Sequence, residues 1–213
     1  EIQNSFFTLH KQNMGWEDIF PWDLAQGPTA PTPSAQQEEE LLEQLATFFQ
    51  NLHPQWKEAF SDMQASGRLE IMRREHKTMG AMTYPMKQDG CPLLIASYDG
   101  SAQGLTQVIH ELGHAMHFYH SQKQPLLALS PIPPELGELF ALTFELIALS
   151  HTECFYADEA AQQQLIQTQL YRVFSLLSLS IALDAFQYEV YQNPTMTHEE
   201  RNACWQEAYL RFH

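Results

Sequence analysis

Apolar side chains recur at helical spacing through most of the chain, and this periodicity predicts a mainly α-helical fold. Ser34 with Gln37, and Thr197 with Glu200, have the spacing of capping boxes, which are typical of helix starts. Prolines and glycines divide the periodic pattern into separate elements. The predicted helices cover about 34–52, 54–67, 105–120, 133–146, 158–193 and 197–209.

Strand-like segments lie between the second and third predicted helices. They cover about 68–72, 80–84 and 92–98, with turn residues at Asp89-Gly90 and Asp99-Gly100. Short strands joined by tight turns usually pair with their neighbours along the chain. We therefore expect a small antiparallel sheet directly before the third helix.

The first 33 residues have a different composition, with prolines at 21, 28, 31 and 33. These prolines interrupt regular structure, so residues 1–33 are predicted to be a loop-like segment. Its aromatic side chains, Trp16, Phe20 and Trp22, are expected to pack on the helices. A chain of 213 residues suffices for one well-buried core, so we expect a single domain over 1–213 with this segment packed on it.

The third predicted helix contains His110-Glu111-Leu112-Gly113-His114, an H-E-x-x-H motif. Two histidines four residues apart lie about 40° apart around a helix, so both imidazoles can reach one metal ion. Glu111 is displaced around the helix from His110, where a carboxylate can accept a proton from a water on that metal. The buried stripe runs beside the histidines and consists of Leu105, Val108, Ile109, Leu112 and Met116. Because His110 and His114 lie on or beside this stripe, both imidazoles are expected to be buried and to need partners. The motif therefore predicts a Zn²⁺ site of a peptidase.

A catalytic zinc site has three protein ligands, and the third is sought after His114. The metzincin pattern would use His120, but it needs a glycine at the position where His117 stands. Without that turn, His120 would lie about 9 Å further along the helix axis than His114. We therefore expect His120 to be a solvated residue near the helix end.

A carboxylate from the next helix is the better third ligand. The segment 133–146 is apolar except near its start and at Glu138 and Glu145, which are seven residues apart and share a helix face. A carboxylate on a buried face needs a partner or a metal. We predict Glu138 as the third ligand, and Glu145 as the group that accepts the second ring N–H of a ligating histidine.

The chain resembles the thimet oligopeptidase and oligoendopeptidase F family of zinc metallopeptidases. The resemblance rests on the run from Arg73 to Tyr98, on His110 to His117, and on Glu138 with Glu145. Phe20-Pro21-Trp22-Asp23-Leu24 and the segment from Asp184 to Pro194 are further similarities. It implies a helical zincin-type catalytic region, in which His110, His114 and Glu138 hold Zn²⁺ and Glu111 is the general base.

The resemblance also implies features that this sequence lacks. Family members have a helical region before the part seen here, and after it a His- and Tyr-rich segment that stabilises the oxyanion. The sequence therefore looks like an incomplete catalytic region that would hydrolyse peptides more slowly than an intact relative. An extended peptide could pair with the main chain of Ile95 to Tyr98, which makes Ser97 and Tyr98 candidate substrate-binding residues.

The amino-acid composition limits the classes of binding partner and the cellular location that can be expected. The net charge of −15 argues against nucleic acid, which requires clustered Lys and Arg. Cys91, Cys154 and Cys204 form no C-x-x-C pair and are expected to be reduced thiols, which favours a cytoplasmic location. No apolar run is as long as a membrane span, the best being 173–183, so no membrane partner is expected. The oligomeric state is not predicted.

The expected function is hydrolysis of short peptides by a metal-activated water. Three alternatives stay open. A non-catalytic zinc-binding helical module, or a fragment inactive without the oxyanion-stabilising segment, would keep the metal ligands without the activity. A thermolysin-like protease has its glutamate ligand nearer the second histidine and would also digest folded proteins.

Overall fold

The computed structural model describes residues 2–18 and 38–212. Within these ranges the chain forms seven α-helices and three short strands. In chain order they are α1 (Ile2–Met14), α2 (Glu38–Leu52), α3 (Pro54–Ala65), β1 (Leu69–Met72), β2 (Ala81–Tyr84), β3 (Leu93–Tyr98), α4 (Ala102–Ser121), α5 (Pro134–Ala148), α6 (Glu159–Gln192) and α7 (His198–Phe212). The mainly helical fold class with a small sheet is confirmed.

The chain divides into two compact units. One is formed by residues 30–169 and includes the sheet, α2 to α5 and the start of α6. The other combines residues 1–29 with residues 170–213. A single catalytic domain over 1–213 stays a prediction.

The sheet has the strand order β1-β3-β2 and is mixed. β2 pairs with β3 antiparallel, with Thr83 opposite Leu94, whereas β1 pairs with β3 parallel, with Leu69 opposite Leu94. The prediction of an antiparallel sheet is therefore wrong for one of the two strand pairs. The reason is that β3 inserts between β1 and β2, so β1 does not pair with its neighbour along the chain.

The core of the larger unit lies between α2, α3, the sheet and α4. The predicted stripe of α4 is buried throughout and belongs to the same core cluster as Phe49 and Phe60, which stack with ring centroids 5.2 Å apart. On α2, Leu41, Leu45 and Phe48 are fully buried. This packing fixes the rotation of α4 about its axis, and so decides which way its histidines point.

The prediction that residues 1–33 are loop-like is wrong for its first part, because Ile2–Met14 is helical. In the unit formed by residues 1–29 and 170–213, His10 lies against Tyr171, with ring centroids 4.5 Å apart. His10 also contacts Trp16 edge to face. Residues 19–37 lie outside the described residues, and with them lie Phe20, Trp22 and the Ser34 capping box. The anchoring role predicted for Phe20 and Trp22 stays a prediction.

The C-terminal helices begin and end close to where the sequence predicted. The capping box of α7 is formed, since Thr197 N donates to Glu200 Oε2 over 2.8 Å and Glu200 N donates to Thr197 Oγ1 over 3.2 Å. By length and composition alone, α6 is apolar enough to cross a membrane, which corrects the expectation that no segment has this property. Helices of soluble proteins also pass this test, so the absence of a membrane partner stays a prediction.

Candidate active site

Helix α4 presents the two histidines of the motif side by side. Ser101 caps the helix, and its hydroxyl accepts a hydrogen bond from Gly104 N over 3.0 Å. One turn separates His110 from His114, and their Nε2 atoms are 3.1 Å apart. The side chains are 14% and 16% exposed, so both rings are largely shielded from water but reachable from one side.

Helix α5 brings a carboxylate to this pair. Glu138 Oε2 lies 3.3 Å from His110 Nε2, and Glu138 Oε1 lies 3.4 Å from His114 Nε2. The Glu138 side chain is 59% exposed, so the argument from a buried helix face is wrong for Glu138 although the residue is where the prediction requires it. The same argument is correct for Glu145, whose side chain is fully buried.

The two helices approach closely at Gly113. A Cβ atom on Gly113 would lie 2.7 Å from Ala141 Cα, which is closer than packed carbon atoms can be, and it would make a tight contact of 3.3 Å with Phe144 Cβ. The glycine inside the motif therefore permits the helix spacing at which Glu138 reaches both imidazoles. Gly137 has no such restriction, because its added Cβ would meet His114 Nδ1 at an ordinary 3.7 Å.

The three donor groups match the dimensions of a tetrahedral zinc site. Zn–N and Zn–O bonds of about 2.0–2.1 Å place neighbouring ligand atoms roughly 3.3 Å apart around the ion. The donor separations here are 3.1, 3.3 and 3.4 Å. Among the described residues, His110, His114 and Glu138 form one of two groups with donor atoms close enough to share an ion. The residues present therefore fit a zinc ion, with a fourth position left for water or substrate.

The outer side of His110 is held by a buried carboxylate. Glu145 Oε1 lies 2.5 Å from His110 Nδ1, and Glu145 Oε2 accepts a hydrogen bond from Gln169 Nε2. With the proton on Nδ1, the Nε2 lone pair of His110 points toward His114 and Glu138. Glu145 thus has the geometry of a group that fixes the tautomer of a metal-ligating histidine.

Glu111 is held from the other side, by the sheet. The Thr83 hydroxyl of β2 lies 2.8 Å from Glu111 Oε2 and 2.9 Å from Glu111 O. Glu111 is not one of the three clustered donors. Burial lowers the pKa of His114, and the charge of Glu111 opposes that shift. This carboxylate is therefore held by Thr83 on the helix that carries both histidines, and it is not part of the donor cluster.

Burial is the main cause of the pKa shifts of three histidines on α4. It lowers the pKa of His114, His117 and His120, with the neighbouring imidazoles adding to the effect at His114 and His117 and Lys123 adding to it at His120. The expectation of a solvated His120 is wrong, since this half-buried residue has a shielded Nε2 with no partner among the described residues. His120 is in neither group of clustered donors among the described residues, and its exclusion as a ligand stays a prediction.

Ser97 and Tyr98 do not have a free strand edge. Ser97 N donates to Gly80 O over 2.9 Å, Arg73 N donates to Tyr98 O over 2.9 Å, and β3 is paired on both sides. Peptide addition along Ile95 to Tyr98 is therefore not possible in this strand. The Tyr98 side chain is 2% exposed and belongs to the core. β2 is the edge strand beside α4, and its outer edge has no neighbouring strand among the described residues.

Three residues of the site were not predicted: Thr83, Gln169 and the glycine at 113. The Gly113 signal was available, since a glycine inside an apolar helical stretch often marks close packing. Thr83 and Gln169 are 28 and 24 residues away in the chain from the groups they contact, and no local pattern identifies them.

These helices, with two histidines and a glutamate converging beside an oriented second glutamate, define a metallopeptidase type of site. The chain matches peptidase family M3 over residues 8–213 and belongs to that family. A comparison with curated protein sequences gave no match.

Solved structures share the fold. A structure from Bacillus anthracis str. Ames, assigned as an oligoendopeptidase F, has a TM-score of 0.85 at 19% identity, covering 99% of this chain and 39% of its own. A second structure assigned as an oligoendopeptidase F has a TM-score of 0.82 at 21% identity, covering 99% and 38%. PZ peptidase A, solved with an inhibitor, has a TM-score of 0.79 at 20% identity, covering 95% and 36%. The chain thus spans well under half the length of each neighbour.

Proposed function

We propose that the protein is a zinc-dependent endopeptidase that hydrolyses short peptides and uses the gluzincin set of ligands. His110, His114 and Glu138 would hold the ion, and Glu111 would be the general base. The observation that carries the proposal is the convergence of these three donors at 3.1–3.4 Å, with Glu111 held by Thr83 beside them.

A bound Zn²⁺ supplies a Lewis acid that polarises a scissile carbonyl and makes a water acidic near neutral pH. Glu111 then accepts the proton of the attacking water and passes it to the departing amine. The Thr83 hydroxyl donates a hydrogen bond to the Glu111 carboxylate and restricts its orientation. Glu145 Oε1, 2.5 Å from His110 Nδ1, would hold the His110 proton on Nδ1 and leave Nε2 to bind the metal.

An extended peptide would pair more readily with β2 than with β3, because the outer edge of β2 has no neighbouring strand among residues 2–18 and 38–212. The segment from Ala81 to Tyr84 ends beside Glu111, through the Thr83 contact. A peptide that adds to this edge would bind through its main chain, which reads few side chains and suits a broad range of short sequences. Ser97 and Tyr98 would then act only indirectly, by supporting β2 through the sheet.

Glu111→Gln tests the proposal. The chain is expected to bind one zinc ion at the cluster and to cleave internally quenched short peptides in a reaction that a chelator stops and added Zn²⁺ restores. Glu111→Gln should keep the metal and lose hydrolysis by about 10²- to 10⁴-fold, the usual contribution of a general base. Glu135→Gln, an exposed carboxylate at the start of α5, is the matched control and should be unchanged.

The alternatives give different results in the same assay. Equal background hydrolysis by the wild-type chain and Glu111→Gln, with zinc retained in both, would favour a non-catalytic zinc-binding module. Digestion of a stably folded protein as well as short peptides would favour a thermolysin-like activity. The same proposal includes a cytoplasmic location and no nucleic-acid or membrane partner. These two points rest on the composition of the sequence alone.

A further inference from the structure

A second group of metal-binding side chains lies at the far end of α5. After α5 ends at Ala148, a short 3₁₀ turn from Thr152 to Cys154 leads toward α6. His151, Glu153 and Cys154 each offer one donor atom, and these three atoms lie within 4.8 Å of one another. Glu138 lies ten residues before the end of α5 at Ala148, so this turn is separated from the first cluster by roughly 15 Å or more along the helix axis.

The backbone of this turn is well fixed. His151 N donates to Ala148 O over 3.0 Å, and Cys154 N donates to His151 O over 3.0 Å. The turn is also tied to α2, because Phe48 contacts the His151 ring edge to face and Gln44 Nε2 donates to Phe155 O over 3.2 Å. A fixed backbone with three donors on one short turn resembles a preformed chelating loop.

The side chains have the exposure that an ion needs. The His151 and Cys154 side chains are half-buried, and the Glu153 side chain is 61% exposed. His151 Nδ1 and Glu153 Oε1 are 3.6 Å apart, and Asn51 Nδ2 lies 3.5 Å from the Cys154 sulfur. Among the described residues, Glu153 has no lysine or arginine partner that would compete with a cation.

We infer that His151, Glu153 and Cys154 bind a second divalent transition-metal ion, with Zn²⁺ as the natural occupant. A thiolate, an imidazole and a carboxylate together favour Zn²⁺ and its neighbours over Ca²⁺ or Mg²⁺, which prefer oxygen ligands. On binding, the Cys154 thiol gives its proton to the buffer and the sulfur bonds to the ion. Small side-chain rotations bring the donors from their present separations to the roughly 3.3–3.8 Å that a tetrahedral ion requires, and water takes the fourth position.

Cobalt distinguishes this site from the catalytic cluster. His110, His114 and Glu138 offer no sulfur, whereas Co²⁺ bound to Cys154 gives an intense thiolate-to-metal charge-transfer band in the near ultraviolet. Titration of the full chain with Co²⁺, with thiols kept reduced, is expected to give this band and a total of two tightly bound ions. The band should persist in a His110→Ala/His114→Ala variant, so the result does not depend on the proposed peptidase site.

Matched cysteine variants assign the band. Cys154→Ser should abolish it and reduce the metal content by one ion, whereas Cys91→Ser and Cys204→Ser should leave both unchanged. Glu153→Gln, a surface change that should not disturb folding, is expected to weaken Co²⁺ binding by more than about 10-fold. A wild-type chain without the band, or a band that survives Cys154→Ser, would overturn the assignment.

Discussion

Replacement of Glu145 by glutamine should weaken zinc binding while leaving the fold intact. In the native protein both carboxylate oxygens are used, Oε1 by His110 Nδ1 at 2.5 Å and Oε2 by Gln169 Nε2. Glutamine has nearly the same shape and keeps an oxygen for His110. Its new amide nitrogen faces Gln169, whose own Oε1 has no partner among the described residues, so a flip of the Gln169 amide provides an acceptor.

The magnitude follows from what the substitution removes. The hydrogen bond survives in form, but the negative charge that makes His110 a stronger electron donor to a metal is lost. Loss of such an outer partner costs about 10- to 100-fold in metal affinity, or about 1.4–2.8 kcal/mol. Because the Glu145 side chain is 0% exposed and the contact is 2.5 Å, we expect the upper half of this range, about 30- to 100-fold.

The measurement is a zinc titration of the purified chain in competition with a chromophoric chelator. The Cys154→Ser background removes the proposed second ion, so one binding event is observed. Glu135→Gln lies on the same helix, is exposed, and should change the affinity by less than about twofold. A Glu145→Gln affinity within about threefold of the parent, in a chain with an unchanged circular dichroism spectrum, would refute the role assigned to Glu145.

Three other changes have definite outcomes. Thr83→Val removes the hydroxyl that holds Glu111, so kcat should fall about 10-fold with zinc affinity unchanged, and Thr83→Ser should recover most of it; equal losses in both would contradict a positioning role. Gly113→Ala should force the helices apart and lower both zinc affinity and Tm, whereas Gly137→Ala should be tolerated in a thermal melt. Burial raises the pKa of Tyr98 above its ordinary value of 10, so stability is complete below pH 10 and falls above it, and Tyr98→Phe should flatten this fall in alkaline denaturation.

The arrangement of the two histidines on α4 was predictable because it depends on residues that are close together in the sequence. The stripe containing Val108 and Leu112 fixes which side of α4 faces the core, and the four-residue spacing of His110 and His114 fixes their common side. Glu138 follows from the same periodicity, although a buried helix face was the wrong reason for it. Its side chain is exposed, and what the pattern really identified was the face of α5 that α4 approaches.

The errors arise where structure depends on contacts between distant segments. The parallel pairing of β1 with β3 requires β3 to insert between two strands that precede it, and no turn signal encodes that order. The prediction of a loop was wrong for Ile2–Met14 because every proline of residues 1–33 lies at position 21 or later. Prolines there cannot interrupt a helix that ends before them. The Thr83 contact needs the sheet to dock on α4, which only the folded chain shows.

The path from His110 through Glu145 to Gln169 crosses three successive helices, α4, α5 and α6. An ion that immobilises the His110 ring therefore also favours the packed arrangement of the first turns of α6, and a loosened α6 must reduce the affinity for the ion by the same free energy. Metal binding and the ordering of α6 are thus thermodynamically coupled, so a measurement of either one reports on the other. Hydrogen exchange at the amides around Gln169 would report on the metal from a position that never touches it.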